Sequence, residues 1–112
     1  DGETSHNLFG LYLRGLLEWE RNDWTAVEAS FRDLDRRLEQ SPYGAVGFRV
    51  ECQFRIARAI SELNRKEEAG AMAHSALLLD EKRDSGKELE GILYTYKDIK
   101  KDLKHLMDVL DQ

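Results

Sequence analysis

The side chains able to do chemistry are few and scattered. His6, His74 and His105 are spread along the chain and form no zinc-ligand pattern with a cysteine or carboxylate. Ser75 follows His74 directly, but adjacent helical positions point to different faces, so the two make no nucleophile and base pair. The carboxylate pairs Glu18 with Glu20 and Glu67 with Glu68 read as surface charge, and neither a nucleophile elbow nor a glycine-rich phosphate loop occurs. The one cysteine, Cys52, has apolar neighbours and reads as a small buried hydrophobe. The expectation is a chain with no catalytic residues, no cofactor and no metal.

What remains to be positioned is therefore a surface. With 112 residues the chain is a single-domain length, able to bury one modest core. Hydrophobic residues make up 41% and charged residues 35%, too apolar for a disordered tail and too charged for a membrane span. The single proline and the scarcity of alternating β-branched runs argue against strands, and Leu, Ala, Glu, Arg and Lys favour helices. Net charge is −5, and residues 1–42 hold nine acidic and five basic side chains, which leaves no basic footprint for nucleic acid. One unpaired cysteine, with no run of eighteen apolar residues, fits a soluble protein of a reducing compartment such as the cytoplasm. The start at Asp1 fits a piece of something longer.

Periodicity predicts five helices behind a flexible tail over 1–7. Asn7 is the expected cap of a first helix from Leu8 to about Arg21, and Asp23 that of a second from Trp24 to about Glu39, with Val27, Phe31, Leu34 and Leu38 on one face. A third runs from about Phe48 to Leu63 behind the weakening Gly44 and Gly47, with Val50, Phe54, Ala57 and Ile60 as its stripe. A fourth covers Lys66–Leu79, and the polar stretch Asp80–Asp84 reads as a loop. Ser85 with Glu88 forms a capping box opening one long helix to about Leu110.

These helices carry an internal repeat. Gly15, Leu16 and Leu17, then Asn22, Asp23, Trp24, Val27, Phe31 and Leu34, recur as Ala57, Ile60, Asn64, Arg65, Lys66, Ala69, Ala73 and Ala76, and in part at Gly91 and Tyr94. The pattern resembles the tetratricopeptide repeat, and Ala57 to Gly91 is its period of 34 residues. Gly15 to Ala57 is 42 residues, so eight extra ones fall around Tyr43–Gly47, and Glu18 stands where that family favours an aromatic. Gly15 and Ala57 facing Val27 and Ala69 would let paired helices approach at the short end of about 8–10 Å. The resemblance implies an all-α fold over 8–112: two tetratricopeptide-like antiparallel hairpins and a long C-terminal capping helix.

It also implies a role. In this family the first helix of each hairpin lines a concave groove, which here would present Phe9, Tyr12, Leu16, Trp19 and Glu20 beside Phe54, Arg58, Ser61 and Glu62. Trp19 and Tyr12 are the members expected to be exposed. Such a groove suits a peptide or helix of a partner protein, with aromatics and arginine as anchors. The carboxylate clamp of some members is absent, since Tyr12 and Leu16 hold the offsets of its Lys and Asn. The last helix offers an alternative. Leu89, Ile92, Tyr96, Ile99, Leu103, Leu106 and Leu110 step by three and four, as the seam of a homodimeric coiled coil does or as a face capping the stack does. Lys97, Lys100, Lys101 and Lys104 among Asp98 and Asp102 read as its solvated side.

Overall fold

The computed structural model describes residues 4–40, 46–82 and 99–111, with side chains from Leu8 onward in the first segment and from Lys101 onward in the last. These residues form five helices, α1 (Thr4–Glu20), α2 (Trp24–Glu39), α3 (Val46–Glu62), α4 (Lys66–Glu81) and α5 (Ile99–Leu110), and no strand. Each of α1 to α4 packs on the next, and α5 lies against α4 and α3. The all-α expectation holds. No helix among the described residues is long and apolar enough to cross a membrane.

Several boundaries move. Helix α1 takes in residues 4–7, expected as tail. Thr4, Ser5 and Asn7 are all side chains that cap helices, so the sequence did not single out one start. Helix α3 opens at Val46 rather than Phe48, its first turn anchored where the Phe48 ring meets Tyr12 edge-on with centroids 5.3 Å apart. Helix α4 runs through the expected loop residues Asp80 and Glu81, with half-buried Leu77 and Leu79 packed on the core one turn earlier. The Ser85 and Glu88 capping box and the seam positions Leu89, Ile92 and Tyr96 lie outside the described residues.

The turns after α1 and α3 match in their backbone hydrogen bonds. At the first turn the N–H groups of Arg21, Asn22 and Asp23 donate to the carbonyls of Leu17, Trp19 and Glu18, at 3.1, 3.0 and 2.9 Å. At the second, those of Leu63, Asn64 and Arg65 donate to Ala59, Ser61 and Ile60 at 3.1, 3.0 and 3.1 Å, every pair displaced by the 42 residues that separate Gly15 from Ala57. Asn22 and Asn64 take the left-handed conformation that closes each helix, with φ of 57° and 64°. Asparagine tolerates it better than any residue but glycine, which explains two asparagines at matching places. The next helices start differently: the Asp23 carboxylate accepts the Ala26 N–H at 3.3 Å, whereas Arg65 caps α4 with no side-chain bond.

Two apolar clusters fill the interior. One gathers Val27, Phe31, Leu34 and Leu38 of α2 with Tyr12, Ile56, Ile60 and Cys52; the other gathers Val50, Phe54 and Ala57 of α3 with Ala73, Ala76, Leu103 and Leu106. Helix α3 is thus central, covered by α2, α4 and α5 and by side chains of α1. Its buried set includes Glu51, Cys52 and Gln53 besides the expected stripe. Burial pushes the Cys52 thiol well above its ordinary pKa, as befits a small hydrophobe rather than a nucleophile. Gly15 is buried where a Cβ would stand 2.5 Å from the Phe31 ring. The required small residue therefore faces Phe31, one turn beyond the Val27 expected from offsets alone.

Ion pairs clip the hairpins together from outside. The Arg65 guanidinium donates from both terminal nitrogens to Glu28, at 2.7 and 3.1 Å, and also reaches Glu68, while Arg32 bridges Glu28 and Glu68. The hydrogen bond from Arg65 holds the Glu28 carboxyl below its usual range, against the opposing effect of burial and with help from Arg32. A carboxyl with a lowered folded-state pKa stabilises the fold above its unfolded value of roughly 4.3 and loses that contribution as pH falls through the folded value. Urea titrations of Arg65→Met should therefore show a shallower loss of stability on the acid side than wild type. Arg32 should preserve part of the slope.

Candidate partner-binding cleft

The end of α1 places Trp19 over α3, and this contact organises the surface around it. The Trp19 ring meets Trp24 edge-on with centroids 5.2 Å apart and lies 6.5 Å from the Phe54 ring. Two arginines from successive turns of α3 sit over these rings. Arg55 is 4.8 Å from the Trp19 centroid and 5.6 Å from that of Phe31; Arg58 is 5.6 Å from Trp19 and 5.5 Å from Trp24. Arg58 also pairs with Glu62 at 3.3 Å. Each such stack is worth on the order of 0.5–1 kcal/mol where exposed, and it fixes a long side chain in one place.

Beside this group opens a cleft of about 400 Å³. One wall is Trp19, Phe54, Arg58, Ser61 and Glu62; the other is Asp102, His105, Leu106 and Val109 of α5. The floor and one rim residue are apolar, and the charged groups around it are Arg58, Glu62 and Asp102. Among the described residues no group of three or more histidine, cysteine, aspartate or glutamate side chains is placed to hold a metal ion.

Of the six residues expected in a groove, Trp19, Phe54 and Arg58 converge here, joined by Ser61 and Glu62 from the wider set. Phe54 is only 5% exposed and serves as floor. Tyr12, expected to be exposed, is 2% exposed: its hydroxyl donates to Glu51 at 2.7 Å and its ring packs on Phe31 and Phe48. Glu51 is itself buried and also accepts from Arg55 at 2.9 Å, so a carboxylate inside the core satisfies the phenol and draws Tyr12 inward. Leu16 is half-buried against the first cluster. Phe9 is 46% exposed but outside the cleft, in an outward stripe with Leu13 and Leu17.

The seam residues that can be placed belong to the chain's own core. Leu103 is 0% and Leu106 7% exposed, both packed among Val50, Phe54, Ala57, Ala73 and Ala76, with Leu110 half-buried beside them. The side chains of Leu89, Ile92, Tyr96 and Ile99, the other four positions of the stripe, lie outside the described residues. The contribution of α5 to the cleft is what sequence reasoning missed. Asp102 reads from the sequence as part of a solvated face, and His105 and Val109 flank the same leucine stripe; a signal existed in their place on either side of that stripe, but not in its partner. Searches against protein-family models, curated proteins and solved structures find no match to this chain.

Proposed function

We propose that this chain is a non-enzymatic adaptor of tetratricopeptide type that holds a peptide or helix of a partner protein in the cleft between α3 and α5. The observation that carries this reading is the convergence of Trp19, Phe54 and Arg58 from two repeat-related hairpins on one open, partly apolar recess. Aromatic and arginine side chains held rigid before binding lose little entropy on contact, which is why they dominate interface energetics. The displacement of 42 residues between the two turns supports the repeat, and the lone buried Cys52 supports a reducing compartment such as the cytoplasm.

A homodimer through α5 is the second reading. The burial of Leu103 and Leu106 speaks for α5 as the cap of the stack instead. About three stacked units are needed for a stable solenoid, so a short array gains from such a cover.

Peptides selected by display against the folded chain provide the test. Alanine at both Trp19 and Arg58 should weaken the selected peptide at least about tenfold, roughly 1.4 kcal/mol, while helical circular dichroism persists. Trp19 also touches both core clusters, so Val109→Glu on the exposed rim supplies a variant with little bearing on folding. If neither variant alters affinity, the peptide binds elsewhere and this cleft is not the site.

A further inference from the structure

The outward stripe of α1 has a buried counterpart inside the fold. A displacement of 42 residues carries α1 onto α3 and α2 onto α4 with matching ends, Thr4–Glu20 onto Val46–Glu62 and Trp24–Glu39 onto Lys66–Glu81. Phe9, Leu13 and Leu17 then fall on Glu51, Arg55 and Ala59. Those are positions by which α3 sits on the first hairpin: Glu51 accepts from the Tyr12 hydroxyl, Arg55 lies over the Trp19 and Phe31 rings, and Ala59 shares the cluster of Val27 and Phe31. Glu51 and Ala59 are 5% and 0% exposed, whereas Phe9, Leu13 and Leu17 stand at 46%, 44% and 57%. We propose that this stripe docks a helical hairpin of a partner protein, set on α1 as α1 and α2 are set on α3.

Continuity with the packing already present identifies the occupant. The seat that receives α3 includes Tyr12, Phe31 and Leu34, and the same displacement turns these into Phe54, Ala73 and Ala76, which pack with Leu103 and Leu106 of α5. Each hairpin thus receives one further helix on an equivalent seat, and α1 turns to solvent the face that α3 turns to its seat. Gly10 belongs to that face, at the place of fully buried Cys52, and a Cβ there would meet nothing within 4 Å. A second copy of this chain is a poorer occupant. Its two seats are filled by α3 and α5, and contact of stripe with stripe brings only three side chains from each copy, well short of the about 800 Å² per partner that a stable complex buries.

The chemistry of the partner follows from the exchanged residues. Phe9 and Leu13 stand where α3 has a carboxylate and a guanidinium, so the matching seat is aromatic and aliphatic, without the hydroxyl that Tyr12 offers to Glu51. Arg14, at the place of buried Ile56, keeps its guanidinium on Glu18 at 3.2 Å and leaves its alkyl stem to the partner. The stripe shares no residue with the cleft between α3 and α5, so the two surfaces are tested separately.

The experiment keeps the full chain and tethers a hairpin to it, which raises the effective concentration of a weak partner. Residues 4–45 are duplicated ahead of Thr4, so that the added hairpin precedes α1 by the same connecting residues that join α2 to α3. Tyr12 of the added copy becomes Phe, because Phe9 and not a carboxylate faces it there. Leu17→Cys in the original α1 then reports the stripe, since Cys52 is buried. Its reaction with a thiol reagent should be at least about tenfold slower in the extended chain than in the chain itself. Arg36→Cys, at an exposed place that falls on exposed Leu78, should react equally in both. Adding Leu13→Glu to the original α1 should restore the fast reaction. Equal reactivity of the Leu17→Cys thiol in the two proteins would overturn the proposal. So would its protection in the unextended chain as concentration rises, which would give the face to a second copy.

Discussion

Gly15→Leu should lose on the order of 1–3 kcal/mol or more in urea unfolding, one of the largest single-site losses expected on the surface between α1 and α2. Even a bare Cβ at this position would stand 2.5 Å from the Phe31 ring, and that ring is fully buried among Tyr12, Val27 and Leu34. Relief requires either a shift of Phe31 within a packed core or a wider spacing of the two helices, and both sacrifice contacts across the hairpin. Gly10→Ala is the natural control. A Cβ at Gly10 meets nothing within 4 Å, so that change should stabilise by about 0.5–1 kcal/mol through helix propensity alone. Opposite signs at two glycines five positions apart on one helix would separate close packing from propensity. A neutral Gly15→Leu would mean that α1 and α2 do not meet there.

Leu103→Lys combined with Leu106→Lys should be costlier still. Both leucines are buried among Val50, Phe54, Ala57, Ala73 and Ala76, so each lysine must carry its ammonium into an apolar cluster or pull α5 away from the stack. Removing two buried leucines forfeits about 2–5 kcal/mol each by cavity formation alone, which is comparable with the whole stability of about 5–15 kcal/mol of a small domain. The expected outcome is loss of cooperative unfolding or release of α5, with light scattering showing no change from dimer to folded monomer. Conversion of a dimer into a stable folded monomer would restore the coiled-coil seam. The experiment thus separates a cap from an oligomer interface by asking whether the leucines support one chain or two.

The sequence was most readable where a single residue type meets a single backbone demand. Asn22 and Asn64 marked both turns, Asp23 its cap, and Gly15 a close approach, because left-handed φ, an orphan N–H and a lack of space each favour few residues. It was less readable where the partner decides. The leucine stripe of α5 was plain in the spacing, but periodicity describes a face and not what covers it; only the folded chain shows Leu103 and Leu106 against α3 and α4. Tyr12 was misplaced for a related reason. Its burial depends on Glu51, 39 residues away, and a charged residue inside a helix gives no sign that it will be taken into the core. Phe9 was assigned to the groove by the offsets of the repeat it resembles, yet it lies with Leu13 and Leu17 on the outward stripe.

The binding reading rests on Trp19 at the lip of the cleft between α3 and α5, and the chain carries two tryptophans whose indole N–H signals can be followed separately by magnetic resonance. Titrating the isotope-labelled chain with a display-selected peptide should shift the Trp19 indole, Arg58 and the methyls of Leu106 and Val109 together, leaving Leu13, Leu17 and Leu78 in place. Shifts confined to the outward stripe of α1, with Trp19 and Val109 unmoved, would contradict it.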